Sequence, residues 1–331
     1  MKEQFLFFCV NIGNEKLLKE EIQNFYPEFT LSYSRKGFIT YKNKGILYTK
    51  DSISQLECTF ATRSGICLGK TNPDDLNAFI TEKTNELKLD LDEIIIHSFS
   101  INTDYKLETK NLLNNEVNQY SSNNKNVIDI IAIGENEIWM GLHLVTQNTT
   151  RYPNANIEIK VPTDVPSIAY LKLAQAIELY SIKIDKKDLW LDFGCVPGGS
   201  TTYLLSKGIR VWGIDTAVMK DEVLANKNYT HIQSSVQDLS QEKLPNEDIK
   251  WVHVDLNLNP NQAIKEILRL IKKYNHSLKG IIFTVQLVKS EYIKNIEEFE
   301  DQFYDWGFID IISRQVPTHK NEFIIIAKRK Y

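Results

Sequence analysis

The chain reads as an α/β protein whose second half is a mostly parallel sheet with an antiparallel last strand, preceded by smaller α+β modules. Three observations predict this. From about residue 167 onward, strand-like runs alternate with helical patterns, the mark of βαβ units. The last two strand-like runs, 309–313 and 322–327, are only about eight residues apart, too few for a helical crossover, so they should pair antiparallel. A polar stretch over 146–166, with Pro153, Pro162 and Pro166, separates the halves, and 331 residues suit about two domains.

The elements follow in order. Residues 5–10 form an apolar run of strand length. A helix comes next, with Asn14 as its cap and Leu17, Leu18, Ile22 and Phe25 at helical spacing. Strands at 29–33 and 38–41 flank a Lys36-Gly37 turn. A mixed stretch over 60–68, a helix near 74–87 and a strand at 93–99 follow. Residues 111–126 hold seven Asn in sixteen positions and read as a solvated loop, because Asn favours turns. Strands return at 127–133 and 138–144. The second half begins with a helix over 167–180. Strand 189–193, helix 200–207, strand 210–215, a short strand at 231–233 and strand 250–256 come after it. Pro260 opens a helix with Asn259 as cap and Ile264, Ile267, Leu268 and Ile271 on one face. Strand 280–287 and helix 290–306 precede the closing pair.

Composition narrows the function. Hydrophobic content of 42% and charged content of 25% are those of a folded chain. No run of about 18 apolar residues occurs, so no membrane-spanning helix is expected. The first residues lack the apolar core and cleavage site of a signal peptide. Four scattered cysteines without a CxxC pair, and six scattered histidines, point to reduced thiols in a cytoplasmic protein and to no metal site. The net charge is −4. Residues 1–160 carry 17 basic and 21 acidic side chains, while 161–331 carry 22 of each. The acidity therefore lies in the first half and does not exclude a nucleic-acid partner for the second. It does predict modest affinity for bare RNA and a shallow salt dependence.

The sharpest local signal is Asp192-Phe193-Gly194-Cys195-Val196-Pro197-Gly198-Gly199, which ends a buried strand and opens a helix. Glycines there let backbone approach a ligand beyond the strand ends. No Lys-Ser/Thr pair follows, so this is not a P-loop, and it is not GxGxxG. The next strand ends in Asp215, 23 residues after Asp192. A carboxylate there can accept hydrogen bonds from both hydroxyls of an adenosine ribose. Asp238 is placed to meet an adenine amino group. The bland alternative is a structural turn whose aspartates cap helices; Asp215 and the Pro-Gly-Gly sequence together argue against it.

DFGCVPGG resembles the first motif of the FtsJ-type ribose 2′-O-methyltransferases, and the wider arrangement is most similar to the large-subunit (23S) rRNA 2′-O-ribose methyltransferase M family. Four stretches carry the resemblance: Pro166-Ser167 through Lys172-Leu173, DFGCVPGG, Trp251 through Asp255 to Pro260, and Asn321-Glu322. In the first half, Gly13, Glu15, Leu18, Glu21 and Ile22 are similar to a ferredoxin-like module, and Trp139 and Gly141 to a THUMP-like RNA-binding module. The resemblance implies a ferredoxin-like module over 1–70, a THUMP-like module over 71–150 and a Rossmann-like methyltransferase domain over 151–331. It implies S-adenosyl-L-methionine as cofactor, held by Ser167, Asp192, Gly194, Pro197, Gly198, Gly199, Asp215, Asp238 and Asp255. It also implies large-subunit ribosomal RNA as partner, with a cytidine ribose as target.

The family's Lys-Asp-Lys-Glu tetrad maps onto Lys172, Asp255, Gln286 and Glu322. A lysine beside a second cation can act as base, with the carboxylates positioning it. Here the second lysine is replaced by Gln286, and a neutral amide holds a hydroxyl but does not take its proton. Three accounts follow: Lys289 reaches in from three residues downstream, Lys172 suffices alone, or the chain is a non-catalytic RNA-binding or ribosome-assembly protein with a retained cofactor pocket. Lys36 and the Lys328-Arg329-Lys330 tail are candidate phosphate contacts. Tyr170 and Tyr203 are candidate base-stacking residues.

Overall fold

The computed structural model describes residues 3–56, 58–90, 94–105, 107, 117–118, 125–145 and 151–329. The chain divides into two units, residues 1–157 and 158–331. The division falls inside the polar, proline-bearing stretch expected to separate the halves.

In the first unit, apolar strands build one seven-stranded sheet in the order β2-β3-β1-β4-β7-β6-β5. The strands are β1 (Gln4–Val10), β2 (Phe29–Arg35), β3 (Phe38–Asn43), β4 (Ala61–Thr71), β5 (Ile95–Ser100), β6 (Asn126–Gly134) and β7 (Glu137–Leu144). All neighbours run antiparallel except β5 and β6. The break expected at residue 70 falls inside β4, which pairs with β1 on one side and β7 on the other. The two stretches therefore share a sheet, because continuous ladder bonding satisfies the backbone of both.

Helix α1 (Glu15–Phe25) begins at Asn14, yet the Asn14 side chain makes no capping bond. Instead the Glu15 carboxylate accepts the backbone N–H of Gly13 and of Gly37, tying the helix start to the β2–β3 turn. Buried Glu21 accepts the N–H groups of Thr59 (2.6 Å) and Phe60 (3.0 Å), which pins α1 to the chain entering β4. Helix α2 (Leu76–Glu86) packs Leu76 and Ile80 into a core with Ile96, Ile128, Ile130 and Leu142. Gly141 is required by packing: a Cβ there would stand 2.1 Å from the Phe7 ring. The asparagine-rich stretch 111–126 lies mostly outside the described residues.

In the second unit, a seven-stranded sheet has the order β10-β9-β8-β11-β12-β14-β13. Its strands are β8 (Leu189–Phe193), β9 (Arg210–Asp215), β10 (Tyr229–Gln233), β11 (Trp251–Val254), β12 (Gly280–Gln286), β13 (Asp310–Arg314) and β14 (Glu322–Lys328). The pairs from β10 through β12 are parallel, and β14 runs antiparallel to both β12 and β13. Strand order reverses between β8 and β11, so a crevice opens beyond their carboxyl ends, the usual ligand position in such sheets.

Helices α3 (Ala169–Leu179), α4 (Gly199–Ser206), α5 (Asp221–Leu224), α6 (Pro260–Ile271) and α7 (Ile296–Asp305) complete the unit. Asn259 caps α6 through a bond from the Gln262 N–H, as expected. The buried face of α6 takes Ile264, Ile267, Leu270 and Ile271, while Leu268 is only half-buried. Each such side chain contributes about 1.5–3 kcal/mol on full burial. The helix expected over 290–306 is a 3₁₀ segment (Ser290–Asn295) followed by α7. Trp190 and Trp251 stack on adjacent strands, their rings 5.5 Å apart. Gly280, in register with Trp251, leaves that ring its space.

Candidate active site

The glycine turn after β8 packs against the end of β11. Gly194 has φ +78°, and a Cβ there would stand 2.0 Å from the Asp255 carbonyl oxygen. Gly199 leaves room for Ser167, whose Oγ would meet a Cβ at 2.2 Å. The turn thus brings the backbone of 194–199, Ser167 and Asp255 together at the strand-order reversal, a cradle that any larger side chain would fill.

Asp192 does not face this crevice. It is fully buried, and its carboxylate accepts from Ser200 Oγ (2.8 Å), Thr201 Oγ1 (2.6 Å) and His253 Nδ1 (2.8 Å). The residue expected to touch cofactor instead holds the start of α4 and β11 from behind. A carboxylate that holds three donors and has no exposed surface is not open to a ligand in this arrangement. His253, missed in the sequence, is its strand partner; the only signal is a polar residue inside an apolar run.

Asp215 ends β9 half-exposed. Its Oδ2 accepts the Val196 N–H (3.0 Å) and its Oδ1 the Ala217 N–H (2.9 Å). Each oxygen keeps a lone pair, so the group can still accept from a diol while shaping the turn. Asp238 is exposed and accepts from Ser235 Oγ (2.6 Å). Pro197 is exposed and Gly198, at φ +109°, lies against Met219. Cys195 is no nucleophile: burial pushes its thiol far up, and it lies 3.4 Å from the Tyr229 hydroxyl.

The four tetrad positions meet. Gln286 and Glu322 stand directly opposite on β12 and β14. Gln286 Nε2 donates to Glu322 Oε2 (2.9 Å) and to Asp255 Oδ1 (3.0 Å). Lys172 Nζ, from α3, lies 2.6 Å from Glu322 Oε1. The result is a chain Lys172–Glu322–Gln286–Asp255 at the carboxyl ends of the strands, with the Glu322 side chain 8% exposed. Lys289 is not part of it. Its ammonium is exposed and pairs with Glu291 (3.4 Å), because the strand ends at Gln286 and the chain turns outward.

The loop joining β13 to β14 shapes the pair. Gln315 Nε2 donates to the Glu322 carbonyl (2.7 Å), and Thr318 bonds Gln175 through both its N–H and its hydroxyl. Buried His319 accepts the Val316 N–H on Nδ1 (3.2 Å). Burial, reinforced by the Lys172 cation, pushes His319 down to about 3. The folded state therefore binds its proton later than the unfolded state does. Stability should be complete above about pH 6.5 and fall as the pH drops toward 3, by about 1.4 kcal/mol per pH unit. Urea unfolding should show a loss from pH 7 to pH 5 that is about 2 kcal/mol smaller in His319→Gln; equal losses in both proteins would refute this.

Other sequence-expected contacts are spent inside the fold. Tyr170 and Tyr203 are buried and pack edge to face at 5.3 Å, so neither offers a free face to a base. Lys328 pairs with Asp310 (2.8 Å), and the Arg329 guanidinium lies over Trp306 and Phe308. Lys330 lies outside the described residues. Lys36 is exposed.

The first unit has two features of its own. An open groove of about 780 Å³ is bordered by Tyr33, Arg35 and Lys70. Beside it the half-buried Trp139 ring stands 5.1 Å from Tyr33 and 5.9 Å from the Lys70 ammonium. Inside the sheet, His97, Asp129 and His143 form the one group of metal-ligating types that converges among the described residues. Arg63 closes it: Nη1 lies 2.6 Å from His143 Nε2 and Nε 3.7 Å from Asp129 Oδ1. A metal ion there would meet the guanidinium, so the set fits a charge network rather than a cation site.

Residues 166–326 match the family model described as FtsJ-like methyltransferase. The chain is 26% identical over 181 residues to ribosomal RNA large subunit methyltransferase M of Shewanella sediminis, covering 52% of this chain and 48% of that one. It is 24% identical to the protein of that name from Pseudoalteromonas translucida, covering 66% and 59%. The one from Aliivibrio fischeri is 25% identical over 335 residues, covering 97% and 86%. The Shewanella match thus spans about half the length of that relative.

Proposed function

From the premise that residues 166–326 are an FtsJ-like methyltransferase domain, we propose that the chain transfers the methyl group of S-adenosyl-L-methionine to a ribose 2′-oxygen, that of a cytidine in large-subunit ribosomal RNA, in the cytoplasm. The single observation that carries this is the convergence of Lys172, Glu322, Gln286 and Asp255 beside the glycine turn.

The crevice suits the cofactor. Gly194, Gly198 and Gly199 keep it open, Ser167 and Pro197 border it, Asp215 receives the ribose hydroxyls and Asp238 the adenine edge. Loss of the Asp215 carboxylate should weaken S-adenosylmethionine binding about tenfold or more in calorimetry on Asp215→Ala. Undiminished affinity would remove that role. When bound, the cofactor supplies an electrophilic methyl group on a sulfonium.

The chain's own residues do the rest. Lys172 first gives up its ammonium proton to solvent, and the neutral amine then accepts the proton of the attacking hydroxyl. Glu322 holds Lys172 in place. Gln286 spaces the two carboxylates by donating to both, and Asp255 faces the reacting centre. Positioning and proton removal are the two things this reaction asks of a protein.

The first unit delivers the RNA in this reading. Its ferredoxin-like and THUMP-like parts, sharing one sheet, present Arg35 and Lys70 around the Tyr33–Trp139 edge, where Glu137 pairs with Arg35 and accepts from both rings, a mixture of cation and aromatic face suited to RNA.

Gln286 favours a second reading, in which the chain binds cofactor and RNA during ribosome assembly without catalysis. Labelled S-adenosylmethionine and large-subunit RNA from a strain lacking this chain decide between them. Incorporation is expected; cofactor binding without incorporation would establish the second reading.

A further inference from the structure

The four-residue chain at the strand ends contains two carboxylates and one cation. Lys172 is committed to Glu322 at 2.6 Å. Asp255 is held by the Gln286 amide at 3.0 Å, and among the described residues it has no cationic partner within ion-pair distance. Gln286 can act here only as donor. Carboxylates accept, so the amide nitrogen must face both of them and the amide oxygen must turn away. An amide fixes the geometry of Asp255 but brings no charge to it.

Asp255 is also half-buried, and its backbone is locked against Gly194. A fixed, partly desolvated carboxylate with no countercharge attracts a cation more strongly than a solvated one does. The crevice that the glycine turn opens is where such a cation would sit.

Resting on the cofactor reading above, we propose that Gln286 is a specificity-determining residue: by leaving Asp255 without a countercharge, it makes the crevice select the sulfonium form of the cofactor over the neutral thioether that remains after methyl transfer. The ligand itself supplies the missing positive charge. Once the methyl group has left, that charge is gone, and the spent cofactor is held less tightly and departs more readily. A lysine at position 286 would satisfy Asp255 from within the protein and erase the difference. Position 286 thereby links the residue that departs from the tetrad pattern to release of product.

Calorimetry with S-adenosylmethionine and S-adenosylhomocysteine tests this on the full chain. The unsubstituted protein should bind the sulfonium about tenfold more tightly than the thioether. Gln286→Lys should bring the ratio close to one, by neutralising Asp255 with a cation. Asp255→Asn should do the same by removing the charge, which guards against misfolding of either variant alone. A ratio that stays the same in both variants, or a ratio near one in the unsubstituted protein, overturns the proposal while leaving the cofactor reading intact. Failure of the unsubstituted protein to bind either compound overturns both.

Discussion

Lys172→Met should lower methyl incorporation by about 10²–10⁴-fold, the range that a positioned general base contributes, while affinity for the cofactor stays within about twofold. The reason is geometric. Lys172 is the single amine in the Lys172–Glu322–Gln286–Asp255 chain, and Gln286 cannot take a proton in its place. The substitution also leaves Glu322, only 6% exposed, without its cation, with the Gln286 amide still donating to it. A Lys172→Met/Glu322→Gln double variant removes that stray charge and separates folding from chemistry. If the double variant melts like the unsubstituted protein and is far less active than Glu322→Gln alone, Lys172 acts in the reaction. Full turnover by Lys172→Met would place the base elsewhere.

Arg63→Met should destabilise the first unit by about 3–5 kcal/mol, the usual result of stripping a buried charge of its partner. Arg63 and Asp129 are both essentially inaccessible, and the guanidinium touches His143 as well. Burial opposes the charge on Asp129, yet the neighbouring His143 and Arg63 outweigh it and hold the carboxyl below its ordinary range. Burial and then Arg63 push His143 the other way from a charged imidazolium, so it is neutral and donates Nδ1–H to Asp129 at 2.6 Å. Both shifts have the same sign in stability. Acid is taken up by the unfolded chain first, so this network loses strength as the pH falls below about 6.5. Urea unfolding followed by near-ultraviolet circular dichroism measures the effect. A loss under 1 kcal/mol would mean that Asp129 finds another donor.

The two units were unequally legible from the amino-acid order. In the second, β-strands and helices alternate with clear periodicity, so the parallel sheet and its antiparallel closing strand could be read directly. Gln286 and Glu322 were expected in one site, and the register of β12 against β14 places them opposite each other. Exposure was harder. Asp192 was expected to touch cofactor because it opens the DFGCVPGG turn, but Ser200 and Thr201 of α4 and His253 of β11 converge on it. Tyr170 and Tyr203 looked available for stacking because each lies near a motif; their mutual packing depends on how α3 meets α4. The basic tail looked free because nothing local to it shows that Trp306, Phe308 and Asp310 wait beneath.

The first unit hid more. Arg63, His97, Asp129 and His143 are spread over 80 residues and meet only because β4, β7, β6 and β5 are neighbours in the sheet. No spacing rule links them. The shared sheet was equally invisible, since β4 sits where the resemblance implied a boundary between two modules. The loop of Gln315, Thr318 and His319 carried no motif, although it positions the Glu322 carbonyl and packs against α3.

The central claim concerns where the methyl group goes. Large-subunit RNA from a strain lacking this chain, labelled with S-adenosylmethionine by the purified protein and then hydrolysed in alkali, reads this directly. The label should survive in a single alkali-resistant dinucleotide, as a ribose 2′-O-methyl group requires, and should vanish with Asp255→Ala. Label released on a free base, or a resistant dinucleotide still formed by Asp255→Ala, would contradict the assignment of this site to ribose methylation.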